Sequence, residues 1–276
     1  MAGLPDITLE SKLGVSIPDL KEEMSEALTD ADKRLMFYFF LETDCKNLVK
    51  LLKNPDADID ANGNFDREEL EELIASARAT DANDRRFPAF MSEFARNYDN
   101  NKDTEGWYAE DEMQIAFYEY AQHCSNGMIS EWYGLNQSIN NILTAMIARK
   151  NGWNVSDFIK GEDEITDMIR TNNTKDFNLS GQFDYVAELM KIVDCEDPVE
   201  KEKQIDAFKW LWLEDKTFFD GFSIEAVFAY VCKVAMLTRW EKLDVEQGQA
   251  TFRQIIEDLR GEAKVPEEFT TFMPKN

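Results

Sequence analysis

The stretch "MISEWYGLNQSINNILTAMIARKNG", residues 128 to 152, repeats apolar side chains at three- and four-residue spacing. This spacing predicts an α-helix with one buried face, ended by Gly152. The apolar residues that share this face are Trp132, Leu135, Ile139, Ile142 and Met146. The helix therefore needs neighbouring helices to cover it.

The same spacing recurs along most of the 276 residues, whereas strict alternation of apolar and polar residues is almost absent. Gly and Pro number only 12 and 7. These features predict an all-α protein, a multi-helix bundle of about ten helices that includes a last helix over 246–260. We expect one protein over 1–276, with subdivisions near 80–105 and 160–182.

Polar residues mark the ends of several predicted helices. Thr29 begins a helix that Asn54-Pro55 ends, because proline disfavours helix in the residue before it. Asp66 and Glu69 resemble a capping pair for the next helix, over 67–78.

One weak internal repeat aligns "DCKNLVKLL" (44–52) with "SINNILTAM" (138–146) and superposes Asn47 on Asn141. An Asn on an apolar helix face can bond a neighbouring loop or helix, so its double use suggests duplicated helical units. Chance agreement between two amphipathic helices is the alternative.

The charge balance is strongly acidic, with 30 basic and 55 acidic side chains and a net charge of −25. Such a surface repels phosphate backbones and anionic lipid, so we expect no nucleic-acid partner and no direct membrane insertion. Acidity suits a basic protein partner or simple solubility. The four cysteines lack metal-site spacing, and residues 1–12 do not resemble a secretory signal, which together predict a cytoplasmic protein.

Patterns typical of catalysis are missing. The chain has one histidine, His123, and neither a phosphate-binding glycine loop nor a G-x-S-x-G turn. We therefore expect a protein that is not an enzyme and that carries no cofactor.

The stretch "DIDANGNFDREE", residues 58 to 69, matches the pattern of a calcium-binding EF-hand loop, with Gly63 at the sixth position. Its candidate ligands are Asp58, Asp60, Asn62, Asn64, Asp66 and Glu69. Pro55, however, ends the preceding helix before the loop starts, and the best partner loop, 99–110, lacks the central glycine. An acidic turn before a capped helix is therefore the expected structure, and a calcium-binding regulatory module is the alternative.

Three stretches carry a resemblance to a known family: "AGLPD" (2–6), "NNILTAMIARKNGWNVSDFIKG" (140–161) and "YVCKVAMLTRWEKLDVEQGQATFRQII" (230–256). They resemble an uncharacterised bacterial family encoded among V-type ATPase subunits. The middle stretch is also similar to a helix of the d-type central-stalk subunit of V/A-type ATPases, which is built from repeated helical units. Asn141, Arg149 and Gly152 occupy the corresponding places.

The resemblance implies an all-helical, non-enzymatic subunit or assembly factor of a bacterial V-type ATPase. Its partners would be ATPase subunits of the central stalk or the membrane ring, and it would lie at the inner face of the plasma membrane through that complex. Asn47, Asn141, Arg149 and Lys150 are the candidate structural or interaction residues. The last two would lie in the final helical turn, where positive charge is favourable.

Overall fold

The computed structural model describes residues 4, 7, 13–80, 82–181, 183, 185–219 and 221–243. These residues form ten α-helices, one short 3-10 turn and no strand, so the predicted all-α fold is confirmed. The helices are α1 (Ile17–Ala27), α2 (Asp30–Lys53), α3 (Arg67–Ala79), α4 (Ala89–Asn101), α5 (Ala109–Gln122), α6 (Gly127–Lys150), α7 (Glu164–Thr171), α8 (Val186–Val193), α9 (Pro198–Thr217) and α10 (Ile224–Leu243). The helix predicted over 246–260 lies outside the described residues.

Local capping explains where several helices begin. The Thr29 side chain accepts a hydrogen bond from the backbone N–H of Asp32 at the start of α2, and Asn54 caps its end. At the start of α3, Asp66 accepts from the Glu69 N–H while Glu69 accepts from the Asp66 N–H, each at 2.9 Å. This reciprocal capping box satisfies two backbone donors that a helix start leaves unpaired.

Helix α6 has the predicted amphipathic character. Four members of its apolar face are buried, namely Trp132, Leu135, Ile139 and Ile142, while Met146 is half-buried. The chain leaves the helix through Gly152, whose φ of +70° is the left-handed conformation that favours glycine at a helix end. Burial of this face drives α6 into the core.

The first of two compact units contains Ile17–Val186. In it, α5 packs against α2, α4 and α6, and α3 packs against α4. Side chains with almost no exposed surface, including Leu41, Leu48, Phe117 and Ile139, fill the space between these helices. The long helices α2 and α6 thus provide the scaffold from which the following loops are held.

The second unit contains the described residues from Ala187 onward, in which α9 packs against α10. Buried Asp206 of α9 accepts hydrogen bonds from Arg239 and from the Trp240 indole N–H of α10, the latter at 2.8 Å. Subdivision near 80–105 or 160–182 stays a prediction. None of the helices in the described part of the chain combines the length and apolar character needed to cross a membrane.

Candidate functional site

Asn47 fastens the loop that follows α2. Its side chain is fully buried; it donates to the backbone carbonyl of Asp60 at 2.8 Å and accepts from the Asp60 N–H at 2.9 Å. One amide thus satisfies both backbone groups of a single loop residue. The loop is held in one register relative to α2.

Asp44, one helical turn before Asn47, fixes the next part of this loop. Its buried carboxylate accepts from the backbone N–H groups of Asn64 and Phe65 at 2.9 and 3.0 Å and from the Asn64 side chain at 2.7 Å. Burial raises the pKa of Asp44, although these hydrogen bonds act in the opposite direction. A Cβ at Gly63 would lie only 2.2 Å from an Asp44 oxygen, so glycine is required there.

The side chains of four of the six candidate calcium ligands are engaged in local hydrogen bonds, namely Asp60, Asn64, Asp66 and Glu69. Asp66 and Glu69 form the capping box of α3, Asn64 bonds Asp44, and the Asp60 carboxylate accepts from the Asn62 N–H at 2.9 Å. No group of three or more His, Cys, Asp or Glu side chains in the described residues could hold a metal ion. The geometry is that of an acidic, self-capped turn, and calcium binding itself stays untested.

Asn141 makes the corresponding contact from α6. It donates to the Lys160 carbonyl at 2.8 Å and to the Thr166 hydroxyl at 3.2 Å, and it accepts from the Lys160 N–H at 3.3 Å. Nearby Gln137 also donates to the Lys160 carbonyl, at 3.3 Å. Asp163 then caps α7 as Asp66 caps α3.

The two asparagines therefore use the same arrangement twice, which we call the asparagine clamp. Each lies on a 24-residue helix, and each bonds the N–H and carbonyl of one residue in the loop beyond that helix. In both loops a glycine packs against a polar side chain of the same long helix: Gly63 against Asp44, and Gly161 against Gln137. Each asparagine of the internal repeat therefore bonds a loop that follows its helix.

Arg149 fastens a further loop. Its guanidinium donates to the carbonyls of Asn172 and Thr174 at 2.7 and 2.5 Å and lies 3.7 Å from the centre of the buried Phe177 ring. Burial lowers the pKa of Arg149. The contacts place Arg149 in a structural role, whereas neighbouring Lys150 is exposed at the end of α6.

Two sets of aromatic side chains are exposed. In the first unit, Trp153 and Phe158 stack at 5.4 Å and are 53% and 43% exposed. Phe158 also lines a cleft of about 700 Å³ between α5 and α6. In the second unit, the connection between α9 and α10 carries Phe218, Phe219 and Phe222, exposed by 72%, 80% and 92%, which we call the aromatic tip. Exposed apolar clusters of this kind are typical of interaction surfaces.

Sequence reasoning missed Asp44, Gln137 and the aromatic tip, and it noted Gly63 only as a position of the calcium-loop pattern and not for its packing against Asp44. Asp44 carried a weak signal, because a carboxylate within an apolar helical stretch needs hydrogen-bond partners if it is buried. The three phenylalanines around a glycine in "TFFDGFS" (217–223) were another signal, since such a loop buries little. The histidine noted in the sequence, His123, lies at the end of α5, with its Nδ1 2.7 Å from the Glu119 backbone oxygen.

Comparison with models of protein families identifies the family of this chain. The family model described as "Protein of unknown function (DUF2764)" matches residues 1–263, and the chain belongs to this family. No curated protein and no solved structure shows a significant match to it.

Proposed function

We propose that this member of the DUF2764 family is a non-enzymatic subunit or assembly factor of a bacterial V-type ATPase, with a coupling role like that of the d-type central-stalk subunit. The repeated asparagine clamp is the observation that carries the proposal. The clamp recurs within this chain, as expected of repeated helical units, and this supports the proposal beside the resemblance between residues 140–161 and the central-stalk helix. In such a coupling role the protein would act through its shape and surface, and reactive groups would not be needed.

The clamp supports this role because it fastens each long helix to its following loop through the side chain of one asparagine. Asn47 and Asn141 are 0% and 6% exposed, so neither amide is available to a partner. Both instead use their hydrogen-bonding capacity inside the fold, where leaving a backbone group unpaired would be costly. A coupling element must transmit force without deforming, and loops fastened to long helices would suit that requirement.

Contact with partner subunits would use exposed side chains, for which the aromatic tip is the best candidate. Aromatic residues are enriched among the residues that dominate binding energy at interfaces. The high exposure of all three phenylalanines means that their replacement removes little internal packing. Association and stability can therefore be separated by mutation at this site.

The test is purification of the tagged chain from its host at low salt under gentle conditions, followed by mass spectrometry. We expect ATPase subunits in the eluate, and we expect the triple variant Phe218→Ser, Phe219→Ser and Phe222→Ser to lose them with little change in melting temperature. Val199→Ser is the matched control, because Val199 is also exposed (57%) but lies at the opposite end of α9. If the unchanged chain brings down no ATPase subunit, the ATPase proposal is wrong; if the unchanged chain and the triple variant both bring down ATPase subunits, the tip is not the contact.

A further inference from the structure

A groove of about 470 Å³ lies between α4 and α5 on the first unit. Its α4 wall consists of side chains at helical spacing, and its α5 wall is built in the same way, with Trp107 contributed by the connection between the two helices. The lining residues include Phe90, Glu93, Phe94, Trp107, Glu112, Glu119 and Tyr120. We call this feature the α4–α5 groove.

Four aromatic rings line the groove in two pairs. Phe94 stacks on Trp107 with ring centres 5.9 Å apart, and Phe90 lies 5.1 Å from Tyr120. All four side chains are half-buried, so each is packed against the fold on one side while part of it remains accessible. Tyr120 also stacks on Tyr38 at 5.5 Å and Trp107 lies edge-on to Tyr98 at 5.8 Å, so neighbouring rings hold the groove aromatics in place while part of each stays accessible to a ligand.

Carboxylates accompany these rings. Glu93 and Glu119 are exposed, and Glu93 accepts a hydrogen bond from the Asn83 side chain at 3.2 Å. Glu112 already forms an ion pair with Lys160 at 3.0 Å. None of the residues that line the groove is a lysine or an arginine. Negative charge in the groove is therefore concentrated around Glu93 and Glu119.

Aromatic faces next to carboxylates favour a cation with a flat or apolar body. A guanidinium group satisfies both partners, because it stacks on aromatic rings and binds carboxylates through paired N–H donors. Phosphate groups and anionic lipids would be repelled by the same carboxylates and by the net charge of −25. A small metal ion does not fit either, since the described residues contain no cluster of three candidate ligands.

We infer that the α4–α5 groove binds an arginine-bearing segment of a basic protein partner. The aromatic pairs hold the guanidinium groups by stacking, and Glu93 and Glu119 supply the opposing charge. This inference does not depend on the ATPase proposal, because it concerns the chemistry of one surface that can be tested with the purified full chain.

The probe is a synthetic alanine-based helical peptide with two arginines four residues apart, compared with a twin in which citrulline replaces both arginines. Citrulline keeps the planar shape and removes the charge. Binding is measured by titration calorimetry at about 50 and 150 mM salt. We expect the arginine peptide to bind at least about tenfold more tightly than the citrulline peptide.

Variants of the chain distinguish the groove from the acidic surface as a whole. The double variant Glu93→Gln and Glu119→Gln should weaken binding about tenfold, and Trp107→Leu about fivefold. The matched control is Glu22→Gln with Glu23→Gln, two exposed residues of α1, which removes the same charge and should leave affinity within about twofold. Because Glu93 and Glu119 are exposed, their variants test binding without removing core packing.

Three results would overturn the inference. The first is equal binding of the arginine and citrulline peptides, including no binding of either. The second is an equal loss in the two charge-matched double variants, which would mean non-specific attraction to an acidic protein. The third is unchanged affinity in Trp107→Leu, which would exclude the aromatic contribution.

Discussion

Replacing Asn141 with alanine tests the asparagine clamp most sharply. The change removes the two hydrogen bonds that the side chain donates, at 2.8 and 3.2 Å, and the one that it accepts at 3.3 Å. A net contribution of about 0.5–1.5 kcal/mol per bond, with the two longer bonds at the low end, gives roughly 2 kcal/mol. The Lys160 N–H also loses its partner, while the Lys160 carbonyl keeps only the longer bond from Gln137 at 3.3 Å, so we expect a total loss of about 2–4 kcal/mol.

The neighbouring residue supplies a matched control. Asn140 is half-buried and its side chain reaches only the Tyr118 hydroxyl, at 3.5 Å, so Asn140→Ala should cost less than about 1 kcal/mol. Stability is measured by urea unfolding followed by circular dichroism at 222 nm, and by thermal melting. For a protein of this size, the loss in Asn141→Ala corresponds to a fall of roughly 4–16 °C in melting temperature.

The test is the difference between the stability losses of Asn141→Ala and Asn140→Ala. An Asn141→Ala variant within about 0.5 kcal/mol of the unchanged chain, or equal losses in both variants, would refute the reasoning. Asn47→Ala should show a loss of similar size, because its two bonds are short and its side chain is fully buried.

Three further predictions follow from the loops. Millimolar calcium should leave the melting temperature nearly unchanged, because the side chains of four of the six candidate ligands already bond within the fold; a rise of several degrees that Asp58→Ala abolishes would reveal a true site. Burial raises the pKa of Asp44, so the folded state takes up a proton before the unfolded state does. Lowering the pH from 7 towards about 4, the ordinary pKa of an aspartate, should therefore raise the free energy of unfolding of the unchanged chain relative to that of Asp44→Asn in urea titrations. A relative decrease would contradict the pKa direction. Gly161→Ala should cost about 2–4 kcal/mol, because its φ is +108° and the new Cβ would lie 2.2 Å from Gln137. Gly152→Ala, with φ +70° and open space, should cost only about 1–2 kcal/mol, and equal losses on urea unfolding would refute the steric part of the argument.

Features that depend on neighbouring residues could be predicted from the sequence. The start of α2 at Thr29 and the capping box of α3 follow from side chains that reach backbone groups three residues away. The apolar stripe of α6 is likewise local, since helical periodicity alone places its members on one face. Met146 is the member that is less buried than its spacing indicates.

Features that depend on distant contacts could not be predicted in this way. The sequence indicated that Asn47 and Asn141 are special, but the residues that they bind, Asp60 and Lys160, lie 13 and 19 positions further along the chain. Arg149 reaches 23 residues ahead to the Asn172 carbonyl, although its position alone suggested only a favourable effect at the end of a helix. Such contacts follow from the packing of helices, which periodicity does not specify.

The EF-hand pattern shows how one set of residue types can serve two structures. Asp and Asn are suited to calcium loops and equally to tight turns and helix caps, because their side-chain oxygens can either coordinate a cation or accept hydrogen bonds from nearby backbone N–H groups. Gly suits both structures because it allows a sharp turn of the backbone. Here Asp66 and Glu69 bond each other's backbone. The end of α2 at Lys53, before Asp58, is the feature that separates the two interpretations.

The most direct test of the proposed function starts from the ATPase itself. A V-type ATPase from the host is purified through a tag on one of its catalytic subunits, and the amount of this chain per complex is measured by quantitative mass spectrometry. The proposal predicts that the chain is present, at a fixed ratio near one per complex for a central-stalk component, or at a lower ratio enriched in incomplete complexes for an assembly factor. Absence of the chain from both complete and incomplete complexes at low salt would contradict it.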